Sequence, residues 1–283
     1  MLASESEQET VLTFLVPTPH PDNVVDWGST RAVLSQTMAS VAAQTDPRWR
    51  GIVVANHGAD LPPLPAGFEA LRVDFPPNPH RDIRTVDYEV FCESLRADKG
   101  RRLLAGLLHA PSSRFCLVVD DDDFVSNRLV AFVASHPEAN GWYVDRGYVW
   151  GSGQRMIFRF DGFNDHCGTS LIVRRDLYRA PASLEAAPPR FAEDMLGSHR
   201  RIRGILEARG EPLAALPFRG AVYRVGHRGS TTRTPAALEF FFRVHAANAG
   251  LRQRFEALAR RGADFRWPTS RIRREFFAGA APG

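Results

Sequence analysis

The sequence predicts an α/β fold in which a mostly parallel central sheet is flanked by helices and followed by a helical C-terminal extension. In residues 11–75 the predicted elements run strand, helix, strand, loop, strand, an order that favours right-handed crossovers and a parallel sheet. The apolar residues 115–119 have the length of a buried strand and end in four aspartates at 120–123. Because open α/β sheets bind ligands beyond the carboxyl ends of parallel strands, these acids predict a functional site.

Each element is predicted from apolar spacing and from the turn residues that end it. The first part of the chain is expected to contain a disordered tail at 1–10, strands at 11–16, 51–55, 71–75 and 115–119, and helices at about 30–44, 98–110 and 129–136. Ser29 or Thr30 is the predicted N-cap of the first helix. The second part is expected to contain strands at 142–150, 156–160, 169–173 and 221–225, a helix at about 191–209, and a helical, arginine-rich segment at about 235–277. Gly151 and Gly153 favour a hairpin between the strands at 142–150 and 156–160.

The composition is that of an ordinary globular protein, with 283 residues, 44% hydrophobic and 24% charged. The net charge of +4 suits an anionic substrate, and the dispersed basic residues argue against a nucleic-acid binder. Lys99 is the single lysine, so any role that needs a lysine falls to it. Three widely spaced cysteines indicate neither a zinc site nor a disulfide framework. Residues 1–10 do not resemble a signal peptide, and no apolar run reaches the ~18 residues of a membrane span, so a cytoplasmic location is expected, compatible with the inner face of a membrane.

The four aspartates carry the strongest chemical signal. Adjacent carboxylates repel one another unless a cation offsets their charge. Mg²⁺ and Mn²⁺ take oxygen ligands and commonly bridge one or two carboxylates to substrate phosphates. The cluster therefore predicts a metal–diphosphate site, and its alternative is a solvated acidic turn after a strand.

Several short motifs then occur in a characteristic order. Pro17-Thr18 follows the first strand, and the helix carries Ser40-Val41-Ala42-Ala43-Gln44-Thr45 before a strand that reaches Val54. The acidic motif at 120–123, the pair Glu193-Asp194 and His227 after the last strand come later. With this order, residues 11–230 resemble the GT-A nucleotide-sugar glycosyltransferases, most closely those of the family 2 type.

The resemblance implies a GT-A (Rossmann-like) domain at 11–234, with a nucleotide-binding half at 11–125 and an acceptor-binding half at 126–234, followed by a helical extension at 235–283. It implies metal-dependent, inverting transfer of a sugar from a nucleotide-diphosphate donor to a glycan or other hydroxyl acceptor, with Mn²⁺ or Mg²⁺ as cofactor. Asp122 and His227 would bind the metal, and Asp194 would be the general base with support from Glu193. The expected donor contacts are Pro17, Thr18, Asn56, Lys99, Asp120, Asp121 and Arg228. The expected acceptor contacts are Trp150, Asp165 and His166.

Several alternatives stay open at this point. The donor is compatible with a UDP-hexose or a dTDP-deoxysugar, and a retaining GT-A transferase or a non-catalytic module that binds glycans or nucleotide sugars are the competing functions. An aspartyl-phosphate phosphatase is disfavoured, because Lys99 precedes the acidic motif whereas those enzymes resemble one another in using a lysine after it. The basic C-terminal helices suit a peripheral membrane contact or a homodimer contact, or simply a helix with a solvated face.

Overall fold

A computed structural model describes residues 9–82, 84–227, 236–245, 247 and 250–278. In chain order the strands are β1 (Leu12–Pro17), β2 (Trp49–Asn56), β3 (Phe68–Val73), β4 (Phe115–Val118), β5 (Phe124–Val125), β6 (Gly141–Tyr143), β7 (Arg146–Gly151), β8 (Ile157–Asp161), β9 (Leu171–Arg174), β10 (Ala214–Ala215), β11 (Ala221–Val225) and β12 (Phe265–Arg266). The α-helices are α1 (Trp27–Ala42), α2 (Tyr88–His109), α3 (Leu129–Ala134), α4 (Phe191–Met195), α5 (His199–Ala208), α6 (Ala237–His245), α7 (Leu251–Arg261) and α8 (Ser270–Phe276).

The central sheet has the strand order β10-β6-β9-β4-β1-β2-β3. β1 pairs in parallel with β2 and β4, β2 pairs in parallel with β3, and β6 pairs in parallel with β10. β9 lies between β4 and β6 and is antiparallel to both. The predicted α/β architecture with a mostly parallel central sheet is therefore confirmed. Because β1, β2 and β4 are parallel neighbours, their carboxyl ends open onto one edge of the sheet.

Helices cover both faces of this sheet. Phe14 of β1 belongs to the same hydrophobic cluster as Met38 of α1. Its neighbour Leu15 instead joins Leu103 and Leu107 of α2 in a second cluster. Successive side chains of a strand point to opposite faces, so α1 and α2 lie on opposite sides of β1. This two-sided burial explains why Leu12, Phe14, Leu15 and Val16 of β1 are all apolar, and the buried hydroxyl of Thr13 is hydrogen-bonded to Ser113.

A second sheet, with the order β12-β8-β7-β11-β5, was not predicted. The predicted hairpin is confirmed in it as the antiparallel pair of β7 and β8. The prediction of one strand at 142–150 is wrong, because the chain divides there between the two sheets. β6 pairs with β9 in the central sheet, whereas β7 pairs with β8 and β11. The division falls at Asp145-Arg146, a charged pair within this otherwise apolar run, and the sequence pattern does not show that the two halves have different partners.

Three helix predictions also need correction. The helix predicted at about 98–110 is α2, which begins earlier, at Tyr88. α1 begins at Trp27, and its N-cap is Asp26, whose Oδ1 accepts a hydrogen bond from the Ser29 amide at 3.1 Å; the predicted caps Ser29 and Thr30 lie inside the first turn. The single helix predicted at 191–209 is two helices, α4 and α5. Ser198 caps the second of them by accepting from the amide of Arg201.

The C-terminal segment is helical, as predicted, and it packs on the second sheet. β12 pairs antiparallel with β8, and Ile272 and Phe276 of α8 are buried with Tyr148 and Trp150. Within the described part of the chain, no helix is both long enough and apolar enough to cross a bilayer. The division of the chain at residue 234 stays a prediction, and most of the predicted tail, residues 1–8, lies outside the described residues.

We expect Gly100→Ala to destabilise the protein by roughly 1–3 kcal/mol, the usual range for overpacking. A Cβ at Gly100 in α2 would collide with the backbone carbonyl group of Ala192 in α4. A helix backbone cannot move aside as a flexible side chain can. Gly204→Ala in α5 is the matched control, because a Cβ there meets nothing within 4 Å. The control should gain up to about 1 kcal/mol from helix propensity. Urea unfolding of both variants measures the difference, and equal stability of the two would show that α2 and α4 are not held in close contact.

Candidate active site

The four aspartates lie just beyond the carboxyl end of β4, and they differ in burial and in hydrogen-bond partners. Asp123 is fully buried. Its Oδ2 accepts hydrogen bonds from Thr169 Oγ1 at 2.6 Å and Cys167 Sγ at 3.1 Å, and its Oδ1 accepts from the Arg224 amide at 3.0 Å. Burial, followed by the charges of the neighbouring aspartates, raises its pKa well above the usual value. Asp123 is therefore a structural acid that joins the strand end to the 167–169 loop and to β11.

Asp120 is paired with the single lysine of the chain. Its carboxylate forms a salt bridge with Lys99 Nζ, and its amide donates to Thr169 Oγ1 at 2.9 Å. Burial lowers the pKa of Lys99, but the charge of Asp120 and the hydrogen bond between them outweigh burial and leave that pKa raised. A Cβ at Gly168 would lie 2.7 Å from Lys99 Nζ, so the glycine leaves room for this ion pair.

Asp121 and Asp122 face a different environment. Asp122 Oδ2 lies 2.7 Å from His227 Nε2, and both side chains are mostly buried, with exposures of 19% and 12%. Burial, followed by the charges of Asp122 and Asp120, raises the pKa of Asp121 to about 7. Its carbonyl oxygen accepts from Thr37 Oγ1 at 3.1 Å, which ties the acidic turn to α1. Asp122 is therefore paired with a histidine, whereas Asp121, with its raised pKa, is only partly ionised near pH 7.

Asp122 and His227 are the two side chains of this cluster predicted to bind a metal. Their Oδ2 and Nε2 atoms lie 2.7 Å apart, at hydrogen-bond distance. A carboxylate is a ligand that Mg²⁺ and Mn²⁺ prefer, and imidazole is a common ligand of transition metals. Within the described residues, no group of three or more histidine, cysteine or acidic side chains is placed to hold a metal. A cation here would thus complete its shell with water and substrate oxygens, as Mg²⁺ commonly does.

The predicted donor residues on β1 and β2 lie at the same sheet edge. Pro17 ends β1, and Thr18 is buried with its hydroxyl donating to the Val54 carbonyl at 3.1 Å. Asn56 is buried at the end of β2, where its amide donates to the Phe75 carbonyl at 2.6 Å and its Oδ1 accepts from Arg102 at 2.6 Å. The fold thus uses the polar atoms of Asn56 to anchor the segment after β3. Their contacts with a nucleotide stay predictions, and Arg228 lies outside the described residues.

The acidic pair predicted to act as the base lies on α4, which packs against α2 beside Gly100. Asp194 Oδ1 accepts from Arg201 Nη1 at 3.0 Å, and Arg190 Nη2 lies 3.8 Å from the same oxygen. Arg201 also pairs with Glu93 of α2, so one guanidinium links α2, α4 and α5. Glu193 precedes Asp194, and its amide lies close to Gly100, one residue from Lys99. α2 therefore brings the acid pair towards the ion pair of Asp120.

The predicted acceptor residues divide between surface and core. Asp165 and His166 are exposed in the loop after β8. They adjoin a surface depression of about 470 Å³ lined by Asn164, Asp165, Arg200, Arg203, Gly204 and Glu207. Trp150 instead lies in the core of the second sheet, 5% exposed, with its indole N–H donating to the Gln154 carbonyl at 2.7 Å. The roles of all three in acceptor binding stay predictions.

His199 at the start of α5 connects these regions and was not predicted from the sequence. Burial, followed by the charges of Lys99, Arg200, His166 and Arg96, lowers its pKa to about 3. Its buried Nε2 has no hydrogen-bond partner among the described residues. The charges of Lys99 and His166 both act on this imidazole, so His199 lies near the acid cluster and near the 165–166 loop.

We expect acid to destabilise the protein partly through His199. Its pKa in the folded state, about 3, is far below the ordinary value of 6.5, so between these values the unfolded chain binds the extra proton. Stability is then fully present above pH 6.5 and falls as the pH drops from 6.5 towards 3. His199→Gln should remove on the order of 1–3 kcal/mol of this loss between pH 7 and pH 4.5. Urea midpoints of both proteins across that range measure it, and parallel curves would contradict the prediction.

Sequence reasoning missed several residues that build the site. Cys167, Thr169 and Arg224 hold Asp123, and Arg201 holds Asp194. The one available signal was Arg224, a charged residue in the middle of a predicted buried strand. Such a residue is rarely fully buried without a reason. The others come from loops and helix ends whose contacts depend on the tertiary structure.

Comparison with known proteins supplies no assignment for this fold and site. No protein-family profile and no curated protein matches the chain. Solved structures with some similarity include S. aureus TarS, at 13% identity and a TM-score of 0.34 over 88% of this chain and 42% of that one. Another is Rv0371C from Mycobacterium tuberculosis H37Rv, in complex with manganese, at 14% identity and a TM-score of 0.35 over 76% of this chain and 91% of that one. This chain thus spans less than half the length of TarS. Overlaps of this extent establish no function, and the class that the structure itself defines is an α/β protein with an acid-tipped central strand.

Proposed function

We propose that this chain is a metal-dependent glycosyltransferase that moves a sugar from a nucleotide-diphosphate donor to a hydroxyl acceptor. The observation that carries the proposal is the convergence of Asp120, Asp122, Lys99 and His227 beyond the carboxyl end of β4. This convergence follows a chain order of motifs that resembles the family 2 transferases. A solvated acidic turn would not pair two of its aspartates with a lysine and a histidine from distant parts of the chain.

The donor would lie along the edge formed by β1, β2 and β4. Asp122 and His227 would hold a Mn²⁺ or Mg²⁺ ion, which when bound stabilises the charge that develops on the leaving diphosphate. Asp120 would contact the ribose and is held for that purpose by Lys99. Pro17, Thr18, Asn56, Asp121 and Arg228 complete the proposed donor set. A UDP-hexose is the first donor to test, and a dTDP-deoxysugar is the second.

Asp194 would take the proton from the attacking hydroxyl, with Glu193 in support. Both contacts of Asp194 with arginine are made through Oδ1, so Arg201 and Arg190 hold the carboxylate in one orientation. A positioned carboxylate within hydrogen-bond reach of the acceptor is what general base catalysis requires. A single displacement assisted in this way inverts the anomeric centre, whereas a retaining transferase would need a different arrangement.

The acceptor, a glycan or a smaller hydroxyl compound, would approach from the side of Asp165 and His166. This side borders the depression along α5, which is lined by polar side chains, and His199, at the start of α5, lies near Lys99. Trp150 is kept in the proposed acceptor set, and its side chain lies in the core of the second sheet. The C-terminal basic helices are proposed as the surface for a peripheral membrane or homodimer contact, and a cytoplasmic location is proposed with them.

A thermal-shift screen of UDP, GDP, dTDP and CMP, each with and without Mn²⁺ or Mg²⁺, tests the proposal. A ligand present at about 100 times its Kd should add about 2.7 kcal/mol of stability. We expect a shift with one nucleotide that requires the metal, which also names the donor class. A non-catalytic binding module would give the same shift, so turnover of the matching sugar nucleotide is measured next. No shift with any pair would contradict the proposal.

A further inference from the structure

Arg224 is a buried cation held beside the acid cluster. It lies in β11 with a relative exposure of 1%. Its guanidinium stacks 4.4 Å over the Phe124 ring and 5.2 Å over the Trp150 ring, and its Nη2 donates to Gln36 Oε1 at 2.7 Å. Its amide donates to Asp123 Oδ1 at 3.0 Å, so the backbone of Arg224 lies directly against the acidic turn.

The contacts of the guanidinium itself do not account for its burial. They are two aromatic rings and a neutral amide, and the buried Nε has no hydrogen-bond partner among the described residues. A buried charge without direct pairing is costly unless nearby charges of opposite sign compensate it. Burial lowers the pKa of Arg224 to about 10, and the charges of Asp122, Asp123 and Asp121 oppose that decrease. The arginine and the aspartates therefore stabilise one another across the cluster.

We propose that Arg224 is a positioning residue that holds the acid cluster together without metal and, for the same reason, weakens its affinity for a free divalent cation. The inference rests on the proposed metal site of Asp122 and His227. The fixed charge of Arg224 offsets the repulsion among carboxylates that would otherwise favour metal binding, and it repels a second cation. The cluster is then suited to a cation that arrives with the diphosphate, whose negative charge outweighs this repulsion.

The first test is the affinity of the protein for Mn²⁺ alone, measured by calorimetry at pH 8. Arg224→Met should lower the melting temperature of the metal-free protein and tighten Mn²⁺ binding roughly tenfold. Arg102→Met is the matched control, because Arg102 is also 1% exposed but pairs with Asp98 and Asn56. This control should lose stability with no change in Mn²⁺ affinity.

A second test needs no metal. Adding Asp121→Asn to Arg224→Met removes one repelling carboxylate and should raise the melting temperature above that of the single variant. The same change should not rescue Arg102→Met. If Arg224→Met does not fold by itself, Mn²⁺ or Asp121→Asn should recover folded protein, and a failure of both overturns the proposal.

The outcomes separate this inference from the proposed function. Unchanged or weaker Mn²⁺ binding in Arg224→Met, or no rescue by Asp121→Asn, would show that the arginine only fills space, while the metal site itself would stand. If the wild type responds to no metal with or without a nucleotide, the proposed function fails. The metal-free rescue still decides the role of Arg224 in that case.

Discussion

Asp122→Asn should abolish metal-dependent donor binding and lower kcat/KM by at least about a thousandfold, because a neutral amide replaces a charged ligand at the diphosphate. The carboxylate lies 2.7 Å from His227 and is mostly buried with it. The substitution also removes one charge from a crowded acid cluster, so the variant should remain folded and be at least as stable as the wild type without metal. Turnover with the donor identified by thermal shift, together with the metal-induced shift itself, measures the effect.

Asp176→Asn is the matched control for this loss. Asp176 is exposed and pairs with Arg174 of β9. Arg174 lies opposite Phe115 in the register of β4 and β9, at the other end of β4 from the aspartates. The control should therefore keep the activity and metal response of the wild type. Normal turnover by Asp122→Asn would remove this aspartate from the metal site.

Asp194→Asn should lower kcat by roughly a hundred- to ten-thousandfold, the range that general base catalysis contributes. The amide cannot accept the proton of the acceptor hydroxyl, but it keeps the shape of the side chain and its place beside Arg201. Nucleotide and metal should therefore still shift the melting temperature as in the wild type. Steady-state kinetics with saturating donor, paired with the thermal shift, separate the chemical step from donor binding.

Two comparisons sharpen the second prediction. Glu193→Gln should reduce turnover less than Asp194→Asn, since Glu193 is assigned a supporting role. The anomeric configuration of the wild-type product, read by NMR, should be inverted relative to the donor. Retention of configuration, or full activity of Asp194→Asn, would refute the assignment of Asp194 as the base.

Much of the fold was predictable because its strands are short apolar runs with clear ends. β1 stops at proline, and β4 stops at the aspartates, so their position at one sheet edge followed from the parallel pairing alone. The second sheet was not predictable in this way. Asp145-Arg146 interrupts the apolar residues between β6 and β7, but this pair does not indicate which half pairs with β9 and which with β8, because those partners are far away in sequence.

The site was predictable where its residues are sequence neighbours or belong to the ordered motifs. The aspartates at 120–123 were identified together, and the resemblance put Asp122 with His227, but the sequence did not show that Asp123 differs from its neighbours as a buried structural acid. That difference depends on Thr169, Cys167 and the β11 backbone, which reach the cluster from loops and a strand in the second half of the chain. The pairing of Asp194 with Arg201 likewise depends on the break between α4 and α5, which a helical pattern does not indicate.

The contact at Gly100 connects the two parts of the proposed site, the acid cluster and the helix that carries Asp194. Lys99 of α2 forms a salt bridge with Asp120 of the acid cluster. The next residue, Gly100, lies directly against the backbone of α4, which carries the proposed base. α2 thus fixes the distance between the Lys99–Asp120 ion pair and α4, the helix that carries the proposed base. In the proposed mechanism, a movement of α2 would therefore shift the Lys99–Asp120 ion pair and α4 together.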